Sequence, residues 1–388
     1  MNEIELKKLK IAIVYDRVNK FGGAERVLLT LHEMFPDAPL YTSVYDNENA
    51  KWANVFPKIY TSFLQKFKFA RTRHQFFGWL MPLVFESFDF KDYDLVISVT
   101  SEAAKGIITL PKTFHLCYML TPTRYLWSGY DEYFKKPFLK FLSWPVVNYL
   151  KWWDKVAANR PDKIIAISTE VQNRIKKYYD LDSEIIFPPV SLHHKNSFLR
   201  VSAEQKTSRS FLLDARNYYY IHGRFEPYKR LDLVIETFKD LDLPLIVSGS
   251  GSEFEKFRNL KYDNIKFIYK PTDDELIELY SNSKAFLMPQ IEDFGITSVE
   301  AQSLGVPVIA FSKGGSLDTV VDGLPAQAGK TGILFNEQTK ESLTNAIQKF
   351  DRTKFDSRYL ITNAKRFSQS IFKENFINFI KNYKYLKK

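Results

Sequence analysis

Short apolar runs and amphipathic stretches alternate along most of this chain. KIAIVYD (10 to 16), PLYTSVY (39 to 45), LVISVT (95 to 100), HLCYML (115 to 120) and KIIAIS (163 to 168) are rich in β-branched and aromatic residues. That is the pattern of strands buried on both faces. Between them, AERVLLTLHEMF (24 to 35) places Val27, Leu28, Leu31 and Phe35 at helical spacing. STEVQNRIKKYY (168 to 179) is a second helix, with Ser168 the expected N-cap and Glu170 close behind. EIIFPPV (184 to 190) closes this half, and the polar, irregular stretch 191 to 210 reads as an interdomain linker. The alternation restarts with YYYIHGR (218 to 224), a helix over 231 to 239, PLIVSGSG (244 to 251), IKFIYK (265 to 270), AFLMP (285 to 289), PVIAF (307 to 311) and GILF (332 to 335), then ends in helices. Strands alternating with helices predict parallel sheets covered on both faces. The expected fold class is α/β, with two Rossmann-like doubly wound domains over 1–200 and 201–365, and a final helix over 366–388 packing back on the first.

The stretch QIEDFGITSVEA (290 to 301) carries the clearest candidate chemistry. It reads as an acidic loop, a glycine and a helix start set between two buried strands. Glu292 lies in the loop, Glu300 about one turn into the helix, and Gly295 admits a ligand close to the backbone. Free N–H groups of Ile296, Thr297 and Ser298 would face the helix start, where the positive dipole end favours phosphate. A carboxylate one turn further in can accept both hydroxyls of a vicinal diol. Diphosphate, ribose and sugar are the ligand parts this suggests; an ordinary helix with acidic residues at its start is the simpler alternative. In the first half, Gly22 and Gly23 occupy the turn from first strand to first helix, a place for phosphate approach or a merely permissive turn.

Composition narrows the partners. At 388 residues and 45% apolar content the chain can bury a large core. Its single cysteine, Cys117, excludes an intrachain disulfide and fits a reducing compartment. MNEIELKKLK has no apolar leader and no 18-residue apolar span follows, so a cytoplasmic location is expected. A net charge of +10 calls for an acidic partner: nucleotide, nucleic acid or anionic membrane. Residues 51 to 75 interleave Lys51, Lys58, Lys66, Lys68, Arg71 and Arg73 with Trp52, Phe56, Tyr60, Phe63, Phe67 and Phe69, and contain no acid. The segment 133 to 155 repeats that composition, with Pro137 and Pro145 expected to break it into short helices. Such segments suit the lipid headgroup layer, predicting peripheral docking on the inner face of an anionic membrane. The alternative is that the aromatics are core and the lysines a solvated face. No zinc-finger, RRM or KH signature accompanies them, so nucleic acid is not the expected partner. His193 and His194 are adjacent, lack metal-ligand spacing and read as surface residues.

Taken together, GGAERVLLTL, YMLTPTRYLWSGYDEY, IIFPPV, GRFEPYKRLD, EDFGITSVEAQSLGVPVIAFSKGG and TGILF resemble the retaining GT-B glycosyltransferases of family 4, a group that includes bacterial mannosyltransferases of polysaccharide assembly. The resemblance runs over nearly the whole chain. Its specific part is the pair Glu292-x7-Glu300 combined with Arg224-x4-Lys229. It implies two Rossmann-like domains facing a cleft, the acceptor mainly on the first and the nucleotide mainly on the second. It assigns Arg224 and Lys229 to the donor diphosphate, Glu292 to hydroxyls of the donor sugar with the N–H groups of Phe294 and Gly295 assisting, and Glu300 to the ribose. The helix start at Ile296 and Thr297 would meet the donor, and Gly22 and Gly23 the phosphates or the acceptor. The donor it implies is a nucleotide sugar, GDP-mannose or a UDP-sugar, and the acceptor a lipid-linked or polysaccharide glycan.

Retention without metal or other cofactor is implied as well, by same-face substitution in which the leaving phosphate takes the acceptor's proton. Asp92-Tyr93-Asp94, Asp180-Leu181-Asp182 and Asp240-Leu241-Asp242 precede strands or end helices, unlike the Asp-x-Asp that follows a buried strand in metal-dependent transferases. Two positions depart from the family. Leu120, before Thr121-Pro122, stands where relatives carry a histidine that reaches the donor sugar, and His115, five residues earlier, reads as a buried structural residue. Lys270-Pro271 stands where relatives often place glycine, with Tyr269 to Thr272 expected to border the base pocket. Leu120 leaves a catalytically weakened nucleotide-sugar or glycan-binding protein as the competing reading.

Overall fold

Two parallel sheets organise the chain. The computed structural model describes residues 8–72, 74–130, 137–191, 218–260, 262–323 and 329–383. By internal packing the chain divides into two units, Met1–Pro189 with Phe372–Lys388, and Val190–Ile371. The polar stretch 191 to 210, with His193 and His194, lies outside the described residues apart from Ser191.

In the first unit β1 (Ile11–Tyr15), β2 (Leu40–Thr42), β3 (Ile59–Thr61), β4 (Leu95–Thr100), β5 (Phe114–Met119), β6 (Lys163–Ala166) and β7 (Glu184–Ile185) form one sheet in the order β3-β2-β1-β4-β5-β6-β7. Every pairing is parallel. All residues of β1, β4 and β5 are buried, which is why these strands read as unbroken apolar runs rather than alternations. The edge strand β3 was not legible as a strand. It has three half-exposed residues, and its flanking lysines mask it.

The second sheet contains β8 (Tyr218–Arg224), β9 (Leu245–Ser250), β10 (Ile265–Tyr269), β11 (Ser283–Met288), β12 (Val308–Phe311) and β13 (Gly332–Phe335), in the order β10-β9-β8-β11-β12-β13. It too is parallel throughout. Along β8 the pleat sends Tyr219 and Ile221 into one core and Tyr218 and Tyr220 into the other, so helices cover both faces. Strand order reverses between β1 and β4 and again between β8 and β11, and a crevice opens at the carboxyl ends of such neighbours.

The helices that matter to the site and its surroundings are α1 (Gly23–Met34), α2 (Pro137–Ala158), α3 (Thr169–Tyr179), α4 (Leu231–Leu241), α5 (Ile296–Ser303) and α6 (Gln369–Tyr383). Ser168 caps α3 as expected, its hydroxyl accepting from the Val171 N–H at 3.1 Å. Within the first unit, Phe372 and Phe376 of α6 pack on Tyr118 with ring centroids 5.7 and 6.1 Å away, and Lys373 pairs with Glu33 at 2.7 Å.

One expectation is corrected outright. Residues 137 to 158 form a single helix of 22 residues with Pro145 inside it, rather than short pieces. Pro137 takes the first helical position, where its missing N–H is harmless. An interior proline costs about 3 kcal/mol. Val147, Leu150 and Trp153 are all buried on the inner side, and each contributes roughly 1.5–3 kcal/mol. Together they outweigh the break.

The basic and aromatic segment 51 to 75 divides between its two readings. Phe56 is core, Tyr60 stacks on Tyr41 at 4.6 Å, and Trp52 donates to the Lys20 carbonyl at 2.8 Å. Phe63, Phe67 and Phe69 are exposed. Arg71 turns inward, its guanidinium donating twice to the Gln65 carbonyl at 3.2 and 3.1 Å. Arg73 and the Lys68 side chain lie outside the described residues.

Candidate functional site

The crevice between β8 and β11 collects the candidates of the second unit. β8 ends at Arg224, a 3-10 turn spans Pro227–Lys229, and Arg230 enters the left-handed region at φ +53° before α4 begins. That sequence of turns swings Lys229 back over the sheet edge, where its Nζ forms an ion pair with Glu292 Oε1. Both side chains are largely shielded, 15% and 18% exposed. Arg224 is exposed, and its guanidinium donates to the Tyr228 hydroxyl at 2.7 Å.

Glu292 is held from a second side. Gln290, 4% exposed, donates from Nε2 to Glu292 Oε1 at 2.8 Å. The Gln290 Oε1 atom is buried and accepts no hydrogen bond among the described residues. A buried acceptor without a donor costs about 1–3 kcal/mol, so a ligand hydroxyl placed there would recover that energy. Sequence reasoning missed Gln290. It precedes the acidic loop, and only its position beside Glu292 distinguishes it from any polar residue at a strand end.

The loop from 290 to 295 is shaped by glycines. Gly295 caps α5 at φ +92°, where an added Cβ would sit 3.1 Å from Met288 Sδ. Gly314, at φ +77°, pairs with Glu292, and the Gly315 N–H donates to the Glu292 carbonyl at 2.8 Å. A Cβ on Gly315 would lie 2.2 Å from the Phe294 carbonyl oxygen, so the loop rests against bare backbone. This pair was visible in the SKGG tetrapeptide, but no role attached to it until its contact with Glu292 was seen.

At the start of α5 one expectation changes. The Ser298 N–H donates to the Gly295 carbonyl at 3.0 Å, an i to i+3 bond that tightens the first turn. Ser298 is therefore removed from the N–H groups expected to face a ligand. Phe294 is buried against Phe367 at 5.3 Å, which fixes the loop, while Ile296 and Thr297 are half-exposed. Glu300 is 7% exposed on α5. Its charge adds to the effects of burial and of Tyr218 that push the Tyr220 phenol upward. The structure thus brings Arg224, Lys229, Glu292, Phe294, Gly295, Ile296, Thr297 and Glu300 to the same edge of one sheet.

Gly22 and Gly23 belong to the other unit, at the carboxyl edge of its sheet. Gly22 caps α1 with extended backbone, φ −174°, and neither glycine has a positive φ, so backbone conformation alone does not call for glycine there. A Cβ on Gly22 would meet Glu25 Oε2 at 3.2 Å, and Glu25 is a buried residue that accepts from the Tyr15 hydroxyl at 2.8 Å. In the adjoining β1–β4 crevice, Asp16 receives the N–H groups of Ser101, Glu102, Ala103 and Ala104 at 2.7, 3.0, 2.9 and 2.8 Å. Burial, reinforced by the Glu102 charge, raises the Asp16 pKa, while the N–H donors of Ser101 and Ala104 oppose the rise.

Leu120 follows β5 directly and is half-buried, its N–H bonded to the Thr100 carbonyl at 2.8 Å. His115 is fully buried and its Nε2 meets Ser98 Oγ at 2.8 Å, the structural role expected of it. Beneath the segment that follows Leu120 lies a polar cluster that the sequence did not reveal. Asp154 accepts from Lys105 at 2.6 Å, Thr123 at 2.8 Å, Trp127 at 2.7 Å and Tyr179 at 2.6 Å, and Lys105 and Asp154 are each 1% exposed. Carboxylates of the three Asp-x-Asp tripeptides are engaged elsewhere: Asp94 accepts from the Lys10 N–H, Asp180 and Asp182 pair with Lys176, and Asp240 pairs with Lys340.

Residues 203–367 match the family profile described as glycosyl transferases group 1. An uncharacterized glycosyltransferase of Methanocaldococcus jannaschii is 23% identical over 227 residues, covering 56% of this chain and 58% of that protein. The alpha-1,3/1,6-mannosyltransferase ALG2 of Dictyostelium discoideum is 27% identical over 231 residues, covering 55% of this chain and 53% of its own. The chain spans about half the length of these curated relatives. Among solved structures, the Anabaena protein HepE in complex with UDP superposes at a TM-score of 0.68 and 16% identity, over 96% of this chain and 100% of that one. A likeness at that identity concerns the fold, which is GT-B, built from two parallel-sheet α/β units.

Proposed function

We propose that this chain, whose residues 203–367 form a glycosyltransferase group 1 domain, is a retaining transferase that moves a hexose, mannose foremost, from a nucleotide-diphosphate sugar to a lipid-linked or polysaccharide acceptor. The reading includes a cytoplasmic location at the inner face of a membrane, and no requirement for a metal or other cofactor. The observation that carries it is the shielded pair of Lys229 and Glu292, backed by Gln290, at the carboxyl edge of the second sheet. Mannose is supported by the mannosyltransferases among the relatives, and a nucleotide-sugar donor by the structural neighbour that binds UDP-glucose.

The pair supplies both signs of charge that such a reaction needs. As the bond between the anomeric carbon and the diphosphate oxygen lengthens, negative charge grows on the leaving group. Lys229 and Arg224 offset it, and preorganised charge in a shielded site contributes several kcal/mol. Before the donor arrives, Lys229 is held by Glu292. A diphosphate offers Lys229 a second anion, and the exchange releases the Glu292 carboxylate to accept hydroxyls of the donor sugar. Gln290 keeps that carboxylate oriented and offers its own free oxygen to a further hydroxyl. The acceptor hydroxyl attacks the anomeric carbon on the face the phosphate leaves, and its proton passes to the departing phosphate oxygen. Glu292 is accordingly a positioning group for the sugar rather than a covalent nucleophile.

The test is nucleotide release from a panel of GDP- and UDP-sugars, with and without lipid-linked acceptors, in the native protein and in Arg224→Ala. No release with any donor, or release indifferent to Arg224→Ala, removes the reading. A second reading, a weakened donor-binding protein, is favoured by Leu120. Tight donor binding in calorimetry without turnover supports it, and faster turnover in Leu120→His points back to the enzyme.

A further inference from the structure

Helix α2 presents an inverted surface. Val147, Leu150 and Trp153 face inward and are buried, yet the side turned to solvent is also apolar: Phe138 is 72% exposed, Phe141 81%, Leu142 64%, Tyr149 48% and Trp152 62%. Phe141, Leu142, Tyr149 and Trp152 follow Phe138 by three, four, eleven and fourteen residues, which keeps these side chains on one stripe of the helix, about 21 Å long at 1.5 Å per residue. Ordinary surface helices reserve that stripe for charged and polar groups. Exposures this high also mean that the rings stand out from the surface rather than lining a groove.

The charges beside the stripe have one sign. Helix α2 carries Lys140, Lys151, Lys155 and Asp154, and Asp154 is buried in its pair with Lys105. The lysines lie over the rings of Tyr130 and Trp127, at 4.6 to 5.7 Å from their centroids. A neighbouring element extends the pattern. Phe67, Phe69, Phe76, Trp79 and Leu83 are each at least half exposed, while Leu64, Ala70, Met81, Val84 and Phe85 of the same stretch share one core with Trp153 and Ala157. Glu86 ties the two together, accepting from Trp153 Nε1 at 2.8 Å and from Arg160 at 2.6 Å. Among the described residues no helix is long and apolar enough to cross a membrane.

We propose that α2 lies along the surface of an anionic bilayer, with Phe138, Phe141, Leu142, Tyr149 and Trp152 in the headgroup and upper acyl layer and Lys140, Lys151 and Lys155 beside lipid phosphates. Aromatic rings settle at that depth and cations gain there from the negative surface potential. The inference rests on the proposed transfer to a lipid-linked acceptor for its purpose, and names the face by which the chain reaches it. Arg71, whose guanidinium is turned inward, has no part in it.

Flotation with vesicles of equal parts phosphatidylcholine and phosphatidylglycerol tests it, with pure phosphatidylcholine as the neutral arm and GDP and UDP binding by calorimetry as a separate readout. The protein is expected to float with anionic vesicles, to do so less with neutral ones or in high salt, and to show a blue shift of tryptophan emission on binding. Phe141→Ser combined with Trp152→Ser should weaken vesicle binding tenfold or more at unchanged circular dichroism and unchanged nucleotide binding. Lys140→Gln and Lys155→Gln should each weaken it about fivefold. Undiminished flotation of the double serine variant overturns the proposal. So does a native dimer that this variant converts to monomer, because a second copy would then cover the face. Loss of nucleotide binding in the native protein would strike the transferase reading and leave the docking result standing.

Discussion

Lys229 and Glu292, 63 residues apart along the chain, close an ion pair at the carboxyl edge of the second sheet, and Gln290 bonds the same carboxylate oxygen. The cation and the carboxylate thus neutralise one another, and in the proposed mechanism the donor diphosphate separates them. Lys229→Ala is expected to lower kcat by about 10² to 10³. Gln290→Met should cost about tenfold in kcat/KM by loosening Glu292, with the fold intact by circular dichroism. Full activity of either variant in a donor-release assay would remove the exchange of partners from the mechanism.

Gly315 meets the Phe294 carbonyl with no room for a side chain. Gly315→Ala should displace the 290–295 loop, weaken donor binding by at least tenfold and lower the melting temperature. Gly323, whose added Cβ meets none of the described residues within 4 Å, is the control, and Gly323→Ala should match the native protein. Calorimetric donor binding separates the two outcomes.

Lys105 and Asp154 are fully buried together, so removing one partner strands the other charge. Lys105→Met or Asp154→Ala alone should destabilise the first unit by about 3–5 kcal/mol. The combination Lys105→Met with Asp154→Leu should be milder than either single change, as read by denaturant midpoints. A double variant worse than the sum would mean that the hydrogen bonds from Thr123, Trp127 and Tyr179 dominate over the charge pair.

Lys270 occupies the left-handed region at φ +45°, its N–H bonded to the Gly249 carbonyl at 3.0 Å. A side chain there costs roughly 1–2 kcal/mol, which supplies a physical reason for a glycine at this point. Lys270→Gly should stabilise the second unit by about 1 kcal/mol, less the extra freedom glycine gains on unfolding. A fall in stability would show that the ammonium over Tyr269, 5.2 Å from the ring centroid, outweighs the backbone term.

Cys117 is buried in β5, and burial pushes its thiol from 9.0 up to about 12. It should resist thiol reagents in the native protein and react fully in denaturant. An acid whose folded pKa is raised contributes stability below its unfolded value and loses it above. The Cys117 contribution is therefore complete below pH 9.0 and declines toward about 12. Cys117→Ala should flatten that part of the stability profile.

Much of this molecule is encoded locally. Strands β1, β4 and β5 are buried on both faces, so their apolar runs announce them, and the helix start after Gly295 is marked by the glycine that its backbone requires. Other features depend on partners far along the chain. The signal that Pro145 breaks a helix is local, but what keeps α2 whole is the burial of Val147, Leu150 and Trp153 in a core assembled from other segments. Gln290 and Gly315 acquire meaning only against Glu292 and Phe294, and Asp154 only against Lys105, Thr123, Trp127 and Tyr179. Periodicity records which face of an element is apolar, because that depends on neighbours three or four residues away. Which polar groups meet in a crevice, and whether an apolar face is left uncovered, depends on how distant elements pack, and only the folded chain decides it.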